Sequence, residues 1–184
     1  MLLNDLREQT RPYHQELERQ PLLHKLLGPL TNNEFISILK GFYGFYKPLE
    51  DKFMAQQLVE LQKFFFPKSQ LIESDLNKMG YSLQDAQLCT HLPKLEENYH
   101  WLGVFYTLEG SCHGRKFLWP KIQKHLQLSQ ESSFFLERSH DLKEHWKNFC
   151  DNMCLQVQGE QEKIALIQGS ISTFQSLKAW FDKI

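Results

Sequence analysis

The chain lacks most of the features that assign a protein to a class at a glance. No segment reaches the run of about 18 apolar residues that a membrane-spanning helix requires, and the opening MLLNDLREQ has no apolar signal-peptide core. The expectation is a cytoplasmic protein with no membrane partner. Neither sign of charge is in excess, with 21 Lys and Arg against 22 Asp and Glu and no basic run, so nucleic acid is not expected as a partner either. Cysteine is scarce and unpaired in pattern: Cys89, Cys112, Cys150 and Cys154 form no CxxC, which suits free thiols in a reducing compartment. Cys150 and Cys154 stand one helical turn apart and read either as metal ligands or, more simply, as small buried hydrophobes. Period-2 alternation nowhere outlasts a few residues and no segment repeats, so strands are not expected.

What is present is helical signal and aromatic surface. The 184 residues suit one domain, 1–184, large enough to bury a full core, and 13% of them are aromatic, including 14 Phe and 4 Trp. Much of that belongs in a core, although a pocket for a large planar ligand would also use it. A first helix is expected from Asn4 or Asp5 to about Arg19, kinked or restarted at Pro12. Pro21 to Leu27 forms a short helix. Thr31-Asn32-Asn33-Glu34 is a capping box opening a helix that Pro48 bends or restarts. Of the adjacent Phe64, Phe65 and Phe66, one must turn away from the core. Ser69 to Met79 closes on Gly80, and Tyr81 to His91 is a shorter helical or turn segment. A long helix runs from Lys94 to about Leu126, with breaks expected at Gly110 to Gly114 and at Pro120. Phe135 to Val157 is expected as one helix, broken if anywhere near Ser139 to Asp141. The last helix carries a stripe of Ile164, Ile167, Ile171, Phe174, Leu177 and Phe181.

Two stretches carry chemistry. In Tyr99 to Pro120, Gly103, Tyr106, Gly110, Gly114 and Phe117 recur at three or four residues and share one helix face. A glycine inside a helix costs about 1 kcal/mol against alanine, so this face calls for a kink, a ligand against bare backbone, or a close helix crossing. On the first helix, Arg7, Arg11, His14 and Glu18 line one edge at i, i+4, i+7 and i+11. A neutral imidazole is a metal ligand, and a carboxylate one turn on can hold its other N–H. The two guanidiniums suit ligand carboxylates. The alternative is an exposed charged face with a surface histidine.

These residues resemble the heme oxygenase family over nearly the whole chain. LREQTRPYHQELE (Leu6 to Glu18) is similar to that family's proximal-helix motif, and LGVFYTLEGSCHGRKFL (Leu102 to Leu118) to its distal helix in the Y-x-L-E-G-S form of bacterial members. Trp146 and Phe149, and Thr173 to Trp180, follow in the family's order. The resemblance implies an all-α, single-domain helix bundle with heme between proximal and distal helices. It implies His14 as iron ligand, Glu18 as its partner, and Gly110 and Gly114 as the distal glycines. Arg7, with Arg11 and Tyr106 as further candidates, would meet a heme propionate, while Ile167, Ile171 and Phe174 would touch the macrocycle. The implied reaction is oxidation of heme to biliverdin, carbon monoxide and ferrous iron, with dioxygen and an external electron donor such as ferredoxin or a reductase.

The chain also departs from the pattern. Ser111 follows the first distal glycine, as in the bacterial branch, and would position water. Cys112, His113 and Arg115 stand where bacterial members show Thr-Leu-Gly or similar. His113 would then ligate the iron, hydrogen-bond a distal water, or point into a neighbouring helix. Arg115 is expected to leave the heme face for a carboxylate or a propionate, and Cys112 to be packed. Two rivals follow: a heme-binding or heme-sensing protein without turnover, and a thiaminase-like helical enzyme with no use for His14.

Overall fold

The capping box at Thr31 is formed: Thr31 Oγ1 accepts the Glu34 amide at 3.2 Å, and Glu34 Oε2 accepts the Thr31 amide at 2.8 Å. The computed structural model describes residues 2–56, 58–137 and 139–184, without the Val59 side chain. Among these residues there are eight α-helices and no strand. They are α1 (Leu2–Glu18), α2 (Pro21–His24), α3 (Asn32–Ala55), α4 (Val59–Gln62), α5 (Lys68–Lys78), α6 (Asn98–Leu126), α7 (Leu142–Gln156) and α8 (Glu160–Phe181), with a 3-10 turn at Lys25–Leu27.

The helices do not restart at Pro12 or Pro48 or break at Pro120, each for a reason in hydrogen bonding. Pro12 and Pro120 lie inside α1 and α6, which continue through them. A proline leaves the carbonyl four residues back without a donor, and those carbonyls belong to Glu8 and Lys116, both on exposed positions where water can serve them. Pro48 inside α3 would orphan the Gly44 carbonyl, but the Cys89 amide donates to it at 2.8 Å. The segment 81–91, which forms turns rather than a helix, thus supplies the bond that keeps α3 whole. α6 also runs unbroken through Gly110 and Gly114. α7 starts later than expected, at Leu142, because the Asp75 carboxylate accepts from the amides of Ser133 (2.7 Å) and Phe134 (3.0 Å) and holds a turn there. In that turn consecutive Phe134 and Phe135 are both buried, at 0% and 1% exposure.

The core lies where α3, α6 and α8 meet, with α1 laid on α8, α5 on α3 and α7 on α6. Phe53 of α3 packs edge-on to Phe105 and tilted to Trp101 of α6, and burying each such ring contributes about 1.5–3 kcal/mol. Of the three adjacent phenylalanines, Phe64 is buried and Phe66 is 40% exposed. No helix among the described residues is long and apolar enough to cross a membrane.

The glycine face of α6 serves two purposes. At Gly103 it is a close crossing: a Cβ there would collide with the Leu166 carbonyl and the Ser170 amide of α8, and one on Gly169 would collide with the His100 backbone. Thr107 Oγ1 and Ser170 Oγ bond across the same seam at 2.7 Å. Gly110 meets only the Trp146 ring, and Gly114 meets nothing within 4 Å. Gly103→Ala should therefore cost about 1–3 kcal/mol or more by overpacking, whereas Gly114→Ala should stabilise the ligand-free protein by up to about 1 kcal/mol. Urea unfolding of the two variants checks both signs.

Candidate functional site

The edge of α1 predicted to carry chemistry faces inward across a cavity of about 590 Å³, within the range of small-molecule sites. Its walls come from α1, α3, α6 and α8, with Trp146 of α7 at one end. Arg7, Arg11 and His14 line it on the α1 side, as their shared helix edge requires. His14 keeps an exposed imidazole, its Nδ1 3.5 Å from Glu18 Oε1 and its ring edge-on to Phe174 at 5.5 Å. Nδ1 turned to the carboxylate leaves Nε2 free to ligate. Glu18 itself lies outside the cavity lining.

The α6 wall opposite presents Tyr106, Thr107, Gly110, Ser111 and His113. Ser111 Oγ donates to the Leu108 carbonyl at 2.6 Å, so toward the cavity it can only accept. Trp146 closes this wall at one side, lying against Gly110, tilted to Tyr106 at 5.4 Å and edge-on to His113 at 5.7 Å. His113 thus stands at the cavity margin, against a neighbouring helix, and its partial burial with Lys116 nearby pulls its imidazole below the usual pKa. Burial raises the Tyr106 phenol, opposed by Arg7 close by. A hollow of about 750 Å³ adjoins through His113 but is walled by lysines, the turn at 139–141 and the start of α7.

Of the residues singled out from sequence, the cavity therefore gathers Arg7, Arg11, His14, Tyr106, Gly110, Ser111, His113 and Phe174. It does not gather Gly114, which is exposed, or Ile167 and Ile171, which belong to the core and its margin. On α8 the lining is instead Phe174 and Leu177. Sequence reasoning missed Phe42 and Tyr46 of α3, whose spacing of four reads equally well as core. Tyr46 is 2% exposed, its hydroxyl has no hydrogen-bond partner among the described residues, and burial pushes its pKa up to about 12.

Behind the α6 wall lies a buried ionic cluster with no sequence signal beyond its charges. Lys68, 1% exposed, donates to Glu109 Oε1 at 2.7 Å and Glu137 Oε1 at 2.9 Å. Arg115 reaches Glu137 Oε2 at 2.7 Å and the Phe134 carbonyl, so it has found a carboxylate while still touching the cavity. His145 Nε2 lies 2.9 Å from Glu109 Oε2. Cys112 is packed among these groups, its thiol pushed up to about 11 by burial. Burial alone would raise the Glu109 carboxyl, but the Lys68 ammonium, followed by His145, brings it down to about 2; Glu137 is lowered likewise by Lys68 and Arg115.

Fold and site together define an all-α protein whose apolar interhelical cavity sets one imidazole and two guanidiniums across from glycine backbone. Residues 1–183 match the family model described as heme oxygenase, and the chain belongs to the heme oxygenase family. Membership supports a heme-degrading function. Searches of curated proteins and of solved structures return no match.

The buried cluster makes a stability prediction of its own. Lys68→Met leaves two buried carboxylates short of a cation and should cost about 3–5 kcal/mol in urea unfolding. Because the folded carboxyl of Glu109 sits below its unfolded value, its contribution is complete above about pH 4.5 and is lost as the pH falls toward about 2. Acid titration of stability checks that window.

Proposed function

We propose that this chain is a biliverdin-producing heme oxygenase, using heme as substrate and cofactor. The observation that carries the reading is the cavity that sets His14, Arg7 and Arg11 on one wall against Gly110 and Ser111 on the other. The residues suit a flat, largely apolar ligand with carboxylate arms: Phe42, Phe174 and Leu177 supply apolar surface, and Gly110 offers backbone without a side chain. Heme when bound supplies an iron at which dioxygen is activated by electrons from an external donor such as ferredoxin or a reductase, and its ring is opened to biliverdin, carbon monoxide and ferrous iron.

This chain's residues divide the remaining work. His14 offers Nε2 as the iron ligand, and the Glu18 carboxylate, 3.5 Å from Nδ1, favours the tautomer that carries its hydrogen on that nitrogen. Arg7 and Arg11 hold the ligand's carboxylates, and their positions along α1 set its rotation in the pocket. On the α6 side, Ser111 Oγ accepts a hydrogen bond from distal water, its own hydrogen being committed to Leu108. The Tyr46 phenol, neutral at any physiological pH, donates into the cavity. No Asp or Glu lines the cavity among the described residues. Glu109 and Glu137 are spent on Lys68 and Arg115, so the distal side orders water and holds no strong direct acid. His113 rests on Trp146 at the margin, its imidazole pulled below the usual pKa by partial burial and the nearby Lys116.

Hemin titration followed by a ferredoxin reducing system tests the reading. A Soret band that converts to biliverdin absorption supports it. A persistent Soret band without product would mark a heme-binding or heme-sensing protein, and no Soret band would favour a thiaminase-like activity. His14→Ala should stay folded by circular dichroism and lose the ferric-heme spectrum; an unchanged spectrum would place the iron on another residue. His113→Leu should leave oxygen affinity within a few-fold of wild type, since its ring rests on Trp146. A sharp rise would show that it had been occupying the sixth coordination site.

A further inference from the structure

The ionic cluster behind α6 is costly to bury and lies outside the chemistry described above. Glu109, Cys112 and Arg115 fall at i, i+3 and i+6, on the side of the helix opposite Thr107, Gly110 and Gly114. The donor atoms of Glu109, Cys112 and Glu137 lie within 4.8 Å of one another, a spacing that suits a cation. That place is already filled: Lys68 bridges Glu109 and Glu137, and Arg115 holds Glu137, so two fixed cations balance two carboxylates. Lys68 is itself anchored. It is the first residue of α5, and its backbone N–H donates to Glu50 Oε1 of α3 at 2.6 Å.

Past Thr107, which Ser170 of α8 holds at 2.7 Å, the front of α6 has little to hold it. Beyond Gly103 the glycine positions meet one tryptophan ring or open space, so side-chain packing there does not set how the helix is rotated about its axis. The back of the helix can do so, because ion pairs and hydrogen bonds are directional where apolar contacts are not. Buried ion pairs seldom add net stability over apolar replacements, so a role in specifying geometry is the better account of this one.

We propose that Lys68 is a positioning residue: through Glu109 and Glu137 it sets the rotation of α6, so that the backbone at Gly110 and Ser111 is aimed into the cavity. The consequence for heme rests on the function proposed above; the consequence for the helix does not.

The test is the charge-balanced pair Lys68→Met/Glu109→Met, which removes one cation and one anion and leaves the Arg115–Glu137 pair in place. In the ligand-free protein, hydrogen exchange of amides 109–116 should speed up at least tenfold while α1 and the Gly103 crossing of α6 keep wild-type rates. With hemin, affinity should stay within about threefold, but the ferric spectrum should split into a mixture of spin states where wild type shows one. If the pair does not fold, the isosteric Glu137→Gln should give the same two effects more weakly. Unchanged exchange at 109–116, or a uniform rise across the whole chain, overturns the proposal. Local exchange that changes with no Soret band in wild type would uphold the positioning role and reject the heme reading.

Discussion

A helix that shows bare backbone to a ligand gives up side-chain packing on that face and must be held from its other sides. α6 meets this constraint at two places. Near its start, Gly103 and Gly169 let α6 and α8 approach until backbone touches backbone, and the Thr107–Ser170 hydroxyl pair ties the seam. Further along, the glycines recur but no helix closes on them, and the support passes to Lys68, Glu109, Glu137 and Arg115 on the opposite side. One periodic glycine pattern thus covers a packing contact at one end and an open cavity wall at the other.

The facing wall works by a different logic. α1 is amphipathic in an unusual sense: Leu6 and Thr10 are buried, while Arg7, Arg11 and His14 border the cavity and keep exposed side chains. An imidazole and two guanidiniums beside apolar Phe174 and Leu177 make a surface that is neither core nor ordinary exterior. It suits a ligand that is itself apolar in its body and charged at its edge. On the α6 side the charged group that reaches the cavity, Arg115, is spent on Glu137 behind the wall.

The fold was legible in sequence wherever a single helix could be read from its own residues. Thr31 to Glu34 announced a capping box that is formed, and the α8 stripe buries Ile167, Phe174, Leu177 and Phe181, while Ile171 is half-buried and Ile164 at the helix start is exposed. Expectations failed where a distant partner decides. Pro48 does not break α3 because the amide of Cys89 takes the freed carbonyl, and α7 does not begin at Phe135 because Asp75 holds a turn there. At the site, helical spacing on α1 and α6 brought out residues that do face one cavity. Ile167 and Ile171 were expected beside them from the family resemblance, but they belong to the core and its margin. Tyr46 and Lys68 could not be picked out, because their settings come from helices far apart in the chain.

The central claim is that the His14 edge and the Gly110 backbone hold opposite faces of one heme. Paramagnetic NMR of the hemin-loaded protein tests it most directly. The account predicts strong hyperfine shifts or broadening at the amides of both His14 and Gly110–Ser111, with α5 little affected; shifts confined to one of the two stretches would contradict it.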